Sequence, residues 1–168
     1  MVMNREIIII AHDIRSAHNV GALLRTAEGL GVDMVYFTGY TPYPQSENDD
    51  RLPHLAAKIH KNIQKTALGA ELSQPWARET DVFTLIPRLK QQGYTVVALE
   101  QAANSVKLPD FHAPDKVAVL IGREVEGIDQ PLLDICDAIV EIPMFGQKES
   151  FNVVEATTMF LYQSRFVV

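Results

Sequence analysis

Short apolar runs recur along the chain, and polar stretches with helical periodicity separate them. The runs show little polar alternation, which is typical of strands that are buried on both faces of a parallel sheet. A weaker segment at 106–111 fits either a short strand or a loop. The pattern predicts five strands, at residues 7–11, 34–38, 94–100, 117–121 and 138–142.

The segments between the predicted strands carry helix signals. After the first strand, one apolar helix face follows the i, i+3, i+4, i+7 spacing with Val20, Leu23, Leu24 and Ala27. Asn19 is its predicted N-cap, and Gly29 lies close to its end. The other predicted helical segments are a basic one at 51–66, one at 80–92 capped by Thr80 and kinked or shortened at Pro87, a short turn at 131–135 and a final helix at 151–166.

Strands that alternate with helices predict an α/β fold, with a mostly parallel sheet flanked by helices. The length of 168 residues fits one domain with a sizeable core. Neither an internal repeat nor a low-complexity linker interrupts the sequence. We therefore expect a single domain over residues 1–168.

The final predicted helix is apolar on nearly every side, with Val153, Val154, Met159, Tyr162 and Phe166 spread around it. A sheet covers only one face of a helix, so the other apolar faces imply a further partner, most simply a second copy of the chain. The alternative is that other loops of the same chain cover them.

The composition restricts the class of protein. No apolar run approaches the roughly 18–20 residues of a membrane-spanning helix, so we expect no membrane partner. The single cysteine, Cys136, excludes an internal disulfide and suits the cytoplasm. The five histidines lack metal-ligand spacing, and no metal site is predicted.

The formal charge of −6 argues against non-specific coating of nucleic acid, but it leaves room for a local basic patch. Such a patch lies between residues 51 and 66, where the sequence contains no acid. It could contact RNA, or it could be an ordinary solvated helix face. Its basic residues are Arg51, Lys58, Lys61 and Lys65.

The common nucleotide and hydrolase motifs are absent: the sequence has no GxxxxGK[ST], no GxGxxG after the first strand and no GxSxG. Glycines are instead found late, at Gly122, Gly127 and Gly146, in loops that follow predicted strands. Ligands of parallel α/β sheets bind beyond the carboxyl ends of the strands, and glycines let a ligand approach the backbone closely. This arrangement is compatible with an adenine-containing ligand.

Polar residues gather at the same ends of the predicted strands, and each has a structural interpretation beside a functional one. Asn19 or Ser150 could simply cap a helix. Asn152 could bond a helix terminus, Arg25 could be a surface charge, and Glu124 could pair with Arg123. Their common placement favours one shared site.

Three stretches together resemble a known family: HNVGALLRTAEGLGV at 18–32, LIGREVEGI at 120–128 and IPMFGQKESFNVVEA at 142–156. They are similar, in order, to the three motifs of the SpoU/TrmH-type ribose methyltransferases of the SPOUT class. The resemblance implies methyl transfer from S-adenosylmethionine to a ribose 2′-hydroxyl of tRNA or rRNA. It also implies a C-terminal deep trefoil knot and a homodimer formed through the C-terminal helix.

The resemblance also assigns site residues. The catalytic set implied by the motifs is Arg25, Asn19, Glu124, Ser150 and Asn152. The cofactor-binding set is Leu99, Glu100, Gln101, Gly122, Gly127, Ile142, Met144, Ser150, Phe151 and Asn152. Phe151 stands where leucine is usual in the family, and the separate RNA-binding extension of many members is not expected here. We therefore assign RNA contacts to Arg51, Lys58, Lys61 and Lys65.

A guanidinium is effectively always protonated, so we expect Arg25 to bind phosphate and stabilise an oxyanion rather than act as the base. It could act within its own chain or across the dimer. Two other functions remain open at this point: a SPOUT enzyme that methylates an RNA base, and a non-catalytic RNA- or nucleotide-binding protein with the same fold.

Overall fold

The computed structural model describes residues 4–167 and contains a seven-stranded sheet in which all neighbouring strands run parallel. The strand order is β3-β2-β1-β6-β4-β7-β5. This confirms the α/β class and the parallel sheet. The strands are β1 (Glu6–His12), β2 (Met34–Thr38), β3 (Trp76–Arg78), β4 (Thr95–Leu99), β5 (Val106–Lys107), β6 (Lys116–Ile121) and β7 (Ala138–Glu141).

Helices cover both faces of the sheet. None of those in residues 4–167 combines the length and the apolar character needed to cross a lipid bilayer. A 3₁₀ turn at Leu108–Asp110 follows β5. The helices are α1 (Ala17–Gly29), α2 (Pro53–Ala67), α3 (Ala70–Ser73), α4 (Val82–Gln91), α5 (Gln130–Ile135) and α6 (Val153–Phe166).

The strand β1 shows how the sheet divides the core. Ile7 and Ile9 pack into a cluster with α1, α2 and α6, whereas Ile8 and Ile10 pack into a second cluster with α4 and α5. Successive side chains of a strand point to opposite faces, so an uninterrupted apolar run must be covered on both sides. All four isoleucines are nearly or fully buried.

Helix caps differ from the predictions in three places. Ser16 caps α1, because its hydroxyl accepts the backbone N–H of Asn19 at 3.1 Å. Asp81 rather than Thr80 caps α4. Asn152 rather than Ser150 caps α6, with its side-chain oxygen 2.8 Å from the backbone N of Val154. The true cap is the residue whose oxygen reaches an unpaired amide of the first turn, and neighbouring Ser, Thr, Asn and Asp are equivalent candidates in a sequence.

Other differences concern short or interrupted elements. The sequence pattern missed β3, an edge strand of three residues that is recognised by its pairing with β2 and by Trp76 packing against Phe37. The segment at 106–111 divides into β5 and the 3₁₀ turn. The helix α4 continues through Pro87 to Gln91, because the buried residues Leu85, Ile86 and Leu89 hold it against the sheet.

A glycine brings α1 and α2 into close contact. A Cβ at Gly21 would lie 2.2 Å from the carbonyl oxygen of Ile63 and 2.2 Å from Oγ1 of Thr66. The Thr66 hydroxyl also donates a hydrogen bond to the carbonyl of His18 at 2.7 Å. This contact sets how near the basic helix α2 lies to α1.

We expect Gly21→Ala to destabilise the protein by about 1–3 kcal/mol, because the added methyl group must push two helix backbones apart. Gly29→Ala is the matched control, since nothing lies within 4 Å of a Cβ at that position of the same helix. Urea unfolding of both variants measures the difference. Equal stability of the two variants would contradict the role assigned to the contact at Gly21.

Candidate functional site

A cavity of about 230 Å³ lies beyond the carboxyl ends of β4, β6 and β7. Three loops and the first turn of α6 form its walls, as expected for a ligand site of a parallel sheet. Nine of the ten residues assigned above to cofactor binding line it, and Asn152 does not. The nine are Leu99, Glu100, Gln101, Gly122, Gly127, Ile142, Met144, Ser150 and Phe151.

The carboxylate of Glu100 joins two of these loops. Its oxygens accept the backbone N–H groups of Gln101 at 2.8 Å and of Ile128 at 3.0 Å. Gly127 lies directly against this carboxylate and has a φ of 70°. A Cβ at this position would be only 2.1 Å from Oε2 of Glu100. Only glycine adopts this backbone without strain, so Gly127 is required by the shape of the loop.

The charged residues of the cavity wall are mostly acidic. Glu100, Glu124, Glu141 and Glu149 line it, and Arg123 is its only cation among the described residues. Arg123 already forms an ion pair with Asp129. A pocket with this charge favours a cationic ligand and disfavours a polyphosphate.

A chain of hydrogen bonds connects the cavity to two helices. Oε1 of Glu124 accepts from the side-chain amide of Asn19 at 3.2 Å, and Oδ1 of Asn19 accepts from the amide of Asn152 at 3.3 Å. The carboxylate of Glu124 also accepts the backbone N–H groups of Arg15 at 3.2 Å and Ser16 at 3.3 Å. Glu124 therefore holds the start of α1, and Asn152 continues the network to α6.

Burial raises the pKa of Glu124, but hydrogen bonds from its own backbone N–H, from Arg15, from Asn19 and from Ser16 outweigh this and place the pKa below its ordinary value. The carboxylate is therefore ionised at neutral pH and accepts all these bonds. A carboxylate that is tuned to accept a proton at neutral pH commonly has a raised pKa instead. This favours a positioning role for Glu124.

Arg25 lies outside the cavity. It lines a separate cleft between α1 and α2, together with Ala22, Thr26, Lys65, Thr66 and Leu68. Its guanidinium is exposed and has no hydrogen bond or ion pair with any residue in 4–167. Within one chain, Glu124 and Ser150 thus lie at the cavity wall, and Asn19 and Asn152 are hydrogen-bonded to Glu124 in a chain. Arg25 lies in the separate cleft.

The basic patch is also divided. Lys58, Lys61 and Lys65 are exposed on α2, where their i, i+3, i+7 spacing places them on one face. Arg51 instead stacks its guanidinium 3.6 Å from the ring centre of Tyr43 and pairs with Asp49. This guanidinium holds the pKa of Asp49 well below its usual range. These contacts make Arg51 part of the loop before α2 rather than a free cation.

Sequence reasoning missed several residues of the cavity wall. Glu141, Val153 and Ala156 belong to a strand end or a helix face that the apolar pattern assigned to the core. Val125 and Glu149 lie within the motif stretches but were not named in the cofactor-binding set. The strand-end position of Glu141 was the available signal. Among residues 4–167, no group of three or more His, Cys, Asp or Glu side chains is placed to hold a metal ion.

The parallel sheet and the cavity beyond its strands define an α/β protein with a candidate small-ligand site at the carboxyl edge of the sheet. The particular family follows from the sequence. Residues 6–162 match the model of the SpoU rRNA Methylase family, so the chain belongs to that family.

Relatives and solved structures agree with this assignment. The 23S rRNA (guanosine-2′-O-)-methyltransferase RlmB of Neisseria meningitidis is 30% identical over 95% of this chain and 58% of its own length. The chain thus spans little more than half of that relative. An AdoMet-bound rRNA methyltransferase from Sinorhizobium meliloti has a TM-score of 0.78 at 24% identity, covering 94% of this chain and 55% of that one.

A third match is close in length. It is a structure described as giving insights into the 2-OH methylation of C/U34 on tRNA, with a TM-score of 0.76 at 18% identity. The similarity covers 96% of this chain and 95% of that chain. At these identities both structures establish the fold of the present chain and nothing further.

Proposed function

We propose that the protein transfers a methyl group from S-adenosylmethionine to a ribose 2′-hydroxyl of tRNA or rRNA. The observation that carries the proposal is the acidic cavity at the carboxyl edge of the sheet, which gathers nine of the ten residues that the motifs assign to the cofactor. The name of the Neisseria relative, a guanosine-2′-O-methyltransferase of 23S rRNA, supports the same reaction.

The cavity fits S-adenosylmethionine by its chemistry. Carboxylates such as Glu100 and Glu149 suit a sulfonium cation, and the apolar side chains of Leu99 and Phe151 suit an adenine ring. The segment at 142–151 supplies backbone groups that can bond a base edge. When bound, S-adenosylmethionine supplies an electrophilic methyl group. The negative wall favours this cation over the neutral thioether that remains after transfer.

The residues of the chain then have separable tasks. Arg25, whose guanidinium has no partner among the described residues, binds a substrate phosphate and stabilises the developing oxyanion of the ribose. Asn19, Asn152 and Glu124 fix the loops and helices relative to one another, so that the hydroxyl is held in line for transfer. Ser150 contacts the ligand from the cavity wall.

The three exposed lysines of α2 extend the positive surface away from Arg25. Lys65 lines the same cleft as Arg25, and Lys58 and Lys61 continue along the helix. They supply a local basic stripe on a chain of net charge −6. We infer that this stripe binds the RNA backbone, because phosphate contacts give affinity without base selection. RNA modification of this kind would place the protein in the cytoplasm.

The first experiment incubates the protein with methyl-labelled S-adenosylmethionine and unmodified total RNA, which is then digested to nucleosides. We expect label on a ribose oxygen. Arg25→Ala should reduce kcat by roughly 100-fold or more, the loss typical of one oxyanion donor. Arg88→Ala is the matched control, since Arg88 is a half-exposed arginine of α4 on the other face of the sheet.

The outcomes separate the competing functions. Label on a base would favour the alternative of a SPOUT enzyme that methylates an RNA base. Cofactor binding in a calorimetric titration without any transfer would favour the non-catalytic RNA-binding protein. The absence of both binding and transfer would contradict the proposed function.

Replacement of Lys58, Lys61 and Lys65 by Gln should raise the KM for RNA and leave kcat nearly unchanged.

We further propose a homodimer in which Arg25 of one copy serves the cavity of the other. Two observations support this arrangement. Arg25 does not line the cavity of its own chain. The helix α6 exposes the aromatic pair Tyr162 and Phe166, whose rings lie 4.9 Å apart, and it packs beside α1, which carries Arg25.

Mixing Arg25→Ala chains with Asn152→Ala chains tests this arrangement. Random pairing of a two-fold dimer with shared sites leaves one intact site in each mixed dimer, so about a quarter of wild-type activity should return. Each variant alone should be nearly inactive. Mixed dimers without activity, demonstrated by differently tagged chains, would place Arg25 and the cavity in the same chain.

We also infer a threaded C-terminus, the trefoil knot implied by the resemblance. The chain between β4 and β6 runs out to β5 and returns across one face of the sheet. Phe160 of α6 is fully buried and its ring stacks on Phe111 of this connection at 5.6 Å. This contact supports a path of the C-terminal segment beneath the connection.

Pulling the chain by its ends in an optical trap tests the threading. A tightened knot holds some residues out of the extended chain. We therefore expect a contour length below that of a fully extended chain, which is about 3.4 Å per residue. A full contour length would contradict the knot. A variant truncated before α6 is the unknotted control for the measurement.

A further inference from the structure

One aromatic side chain beside the cavity makes no packing contact that would explain why an aromatic residue is there. Phe145 follows β7 in the segment that forms one wall, and it is 102% exposed, as much as in an extended peptide. The preceding residue, Met144, lines the cavity, and nothing lies within 4 Å of a Cβ at the following Gly146. The backbone therefore directs Met144 inward and presents the ring of Phe145 to solvent.

The loop after β6 presents a second exposed apolar side chain at the cavity. Val125 lines the cavity and is 86% exposed. Its loop is well held, because Arg123 and Gly127 form a backbone bridge and Glu126 pairs with Arg15 at 2.7 Å. Apolar side chains that stay exposed on a held loop beside a cavity are typical of a binding surface.

Polar groups beside Phe145 define the chemistry of the ligand. Gln147 offers an exposed amide that can bond a base edge. Lys148 is exposed and has no ion-pair partner in the described part of the chain. An aromatic face, an amide and a cation within four residues match the base face, base edge and phosphate of a single nucleotide.

We propose that Phe145 stacks on an unpaired base of the RNA substrate, at or next to the nucleotide that receives the methyl group. The proposal rests on the proposed function and specifies its substrate class. Bases within a duplex are stacked on one another and offer no face to a side chain. Phe145 therefore selects nucleotides of loops or single strands, and duplex RNA is not a substrate.

A second copy of the chain is the other candidate occupant, but the dimer proposed above uses α6 as its apolar contact and needs only Arg25 of the partner at the cavity. The apolar surface assigned to that dimer is on α6, where Tyr162 and Phe166 are exposed together. Phe145 directly follows Met144 of the cavity wall and lies three residues before Lys148, on the segment that a nucleotide must approach to meet the cofactor.

The test compares Phe145→Trp, Phe145→Leu and Phe145→Ala, with Phe83→Ala as the matched control. Phe83 is 50% exposed on α4, at the other face of the sheet. Methyl transfer to unmodified total RNA should lose roughly 5- to 150-fold in kcat/KM for RNA with Leu or Ala, the usual effect of removing one base stack. Phe145→Trp and the control should stay near wild type, and all variants should bind S-adenosylmethionine with equal affinity.

Three results would overturn the proposal: full activity of Phe145→Leu, loss of cofactor affinity or of the dimer in Phe145→Ala, or a methylated nucleotide that is base-paired in the RNA. A fluorescence titration with the same RNA detects the stacking of residue 145 on a base independently of methyl transfer. The emission of Phe145→Trp should be quenched, and that of Phe83→Trp should not change.

The fluorescence titration tests the base contact of Phe145 separately from the methyl-transfer activity. A wild-type protein that neither binds the cofactor nor transfers methyl groups contradicts the proposed function. Quenching in Phe145→Trp would still support the base contact in that case. An RNA titration that leaves its emission unchanged overturns the contact, whatever the activity of the enzyme.

Discussion

The functional edge of this protein depends on one carboxylate. Glu124 extends from the loop after β6 and accepts hydrogen bonds from two backbone amides at the start of α1 and from Asn19 within that helix. The side chain of Asn19 accepts in turn from Asn152, which caps α6. Residues more than a hundred positions apart are thereby fixed to one another, and the loops around the cavity keep a defined shape.

The electrostatics of the edge divide it into two regions. The cavity wall carries a net negative charge, while Arg25 and the lysines of α2 lie on another surface of the same chain. A sulfonium cation and an RNA backbone have opposite charges, so one enzyme that binds both must keep the two surfaces separate. The close contact of α1 and α2 at Gly21 places the positive side chains of both helices together. A dimer would then bring the two kinds of surface to each other.

Much of the fold was predictable from the sequence, and the failures have a common form. Apolar runs such as that in β6 identify buried strands because both of their faces must be covered. The pattern missed β3, whose three residues gain their strand conformation from pairing with β2. It also misplaced the caps at Asn19 and Ser150, because the cap is decided by which oxygen reaches a free amide.

The sequence by itself determined the α/β class, the parallel sheet, the family and the motif residues that line much of the cavity, because apolar periodicity and motif chemistry are local properties. Only the tertiary structure decided that Arg51 is held by Tyr43 and Asp49, that Arg25 lies outside the cavity of its own chain, and that Phe145 faces solvent beside it. These facts depend on which distant segments approach one another, and that approach is set by packing and by hydrogen bonds across the fold rather than by neighbours in the chain.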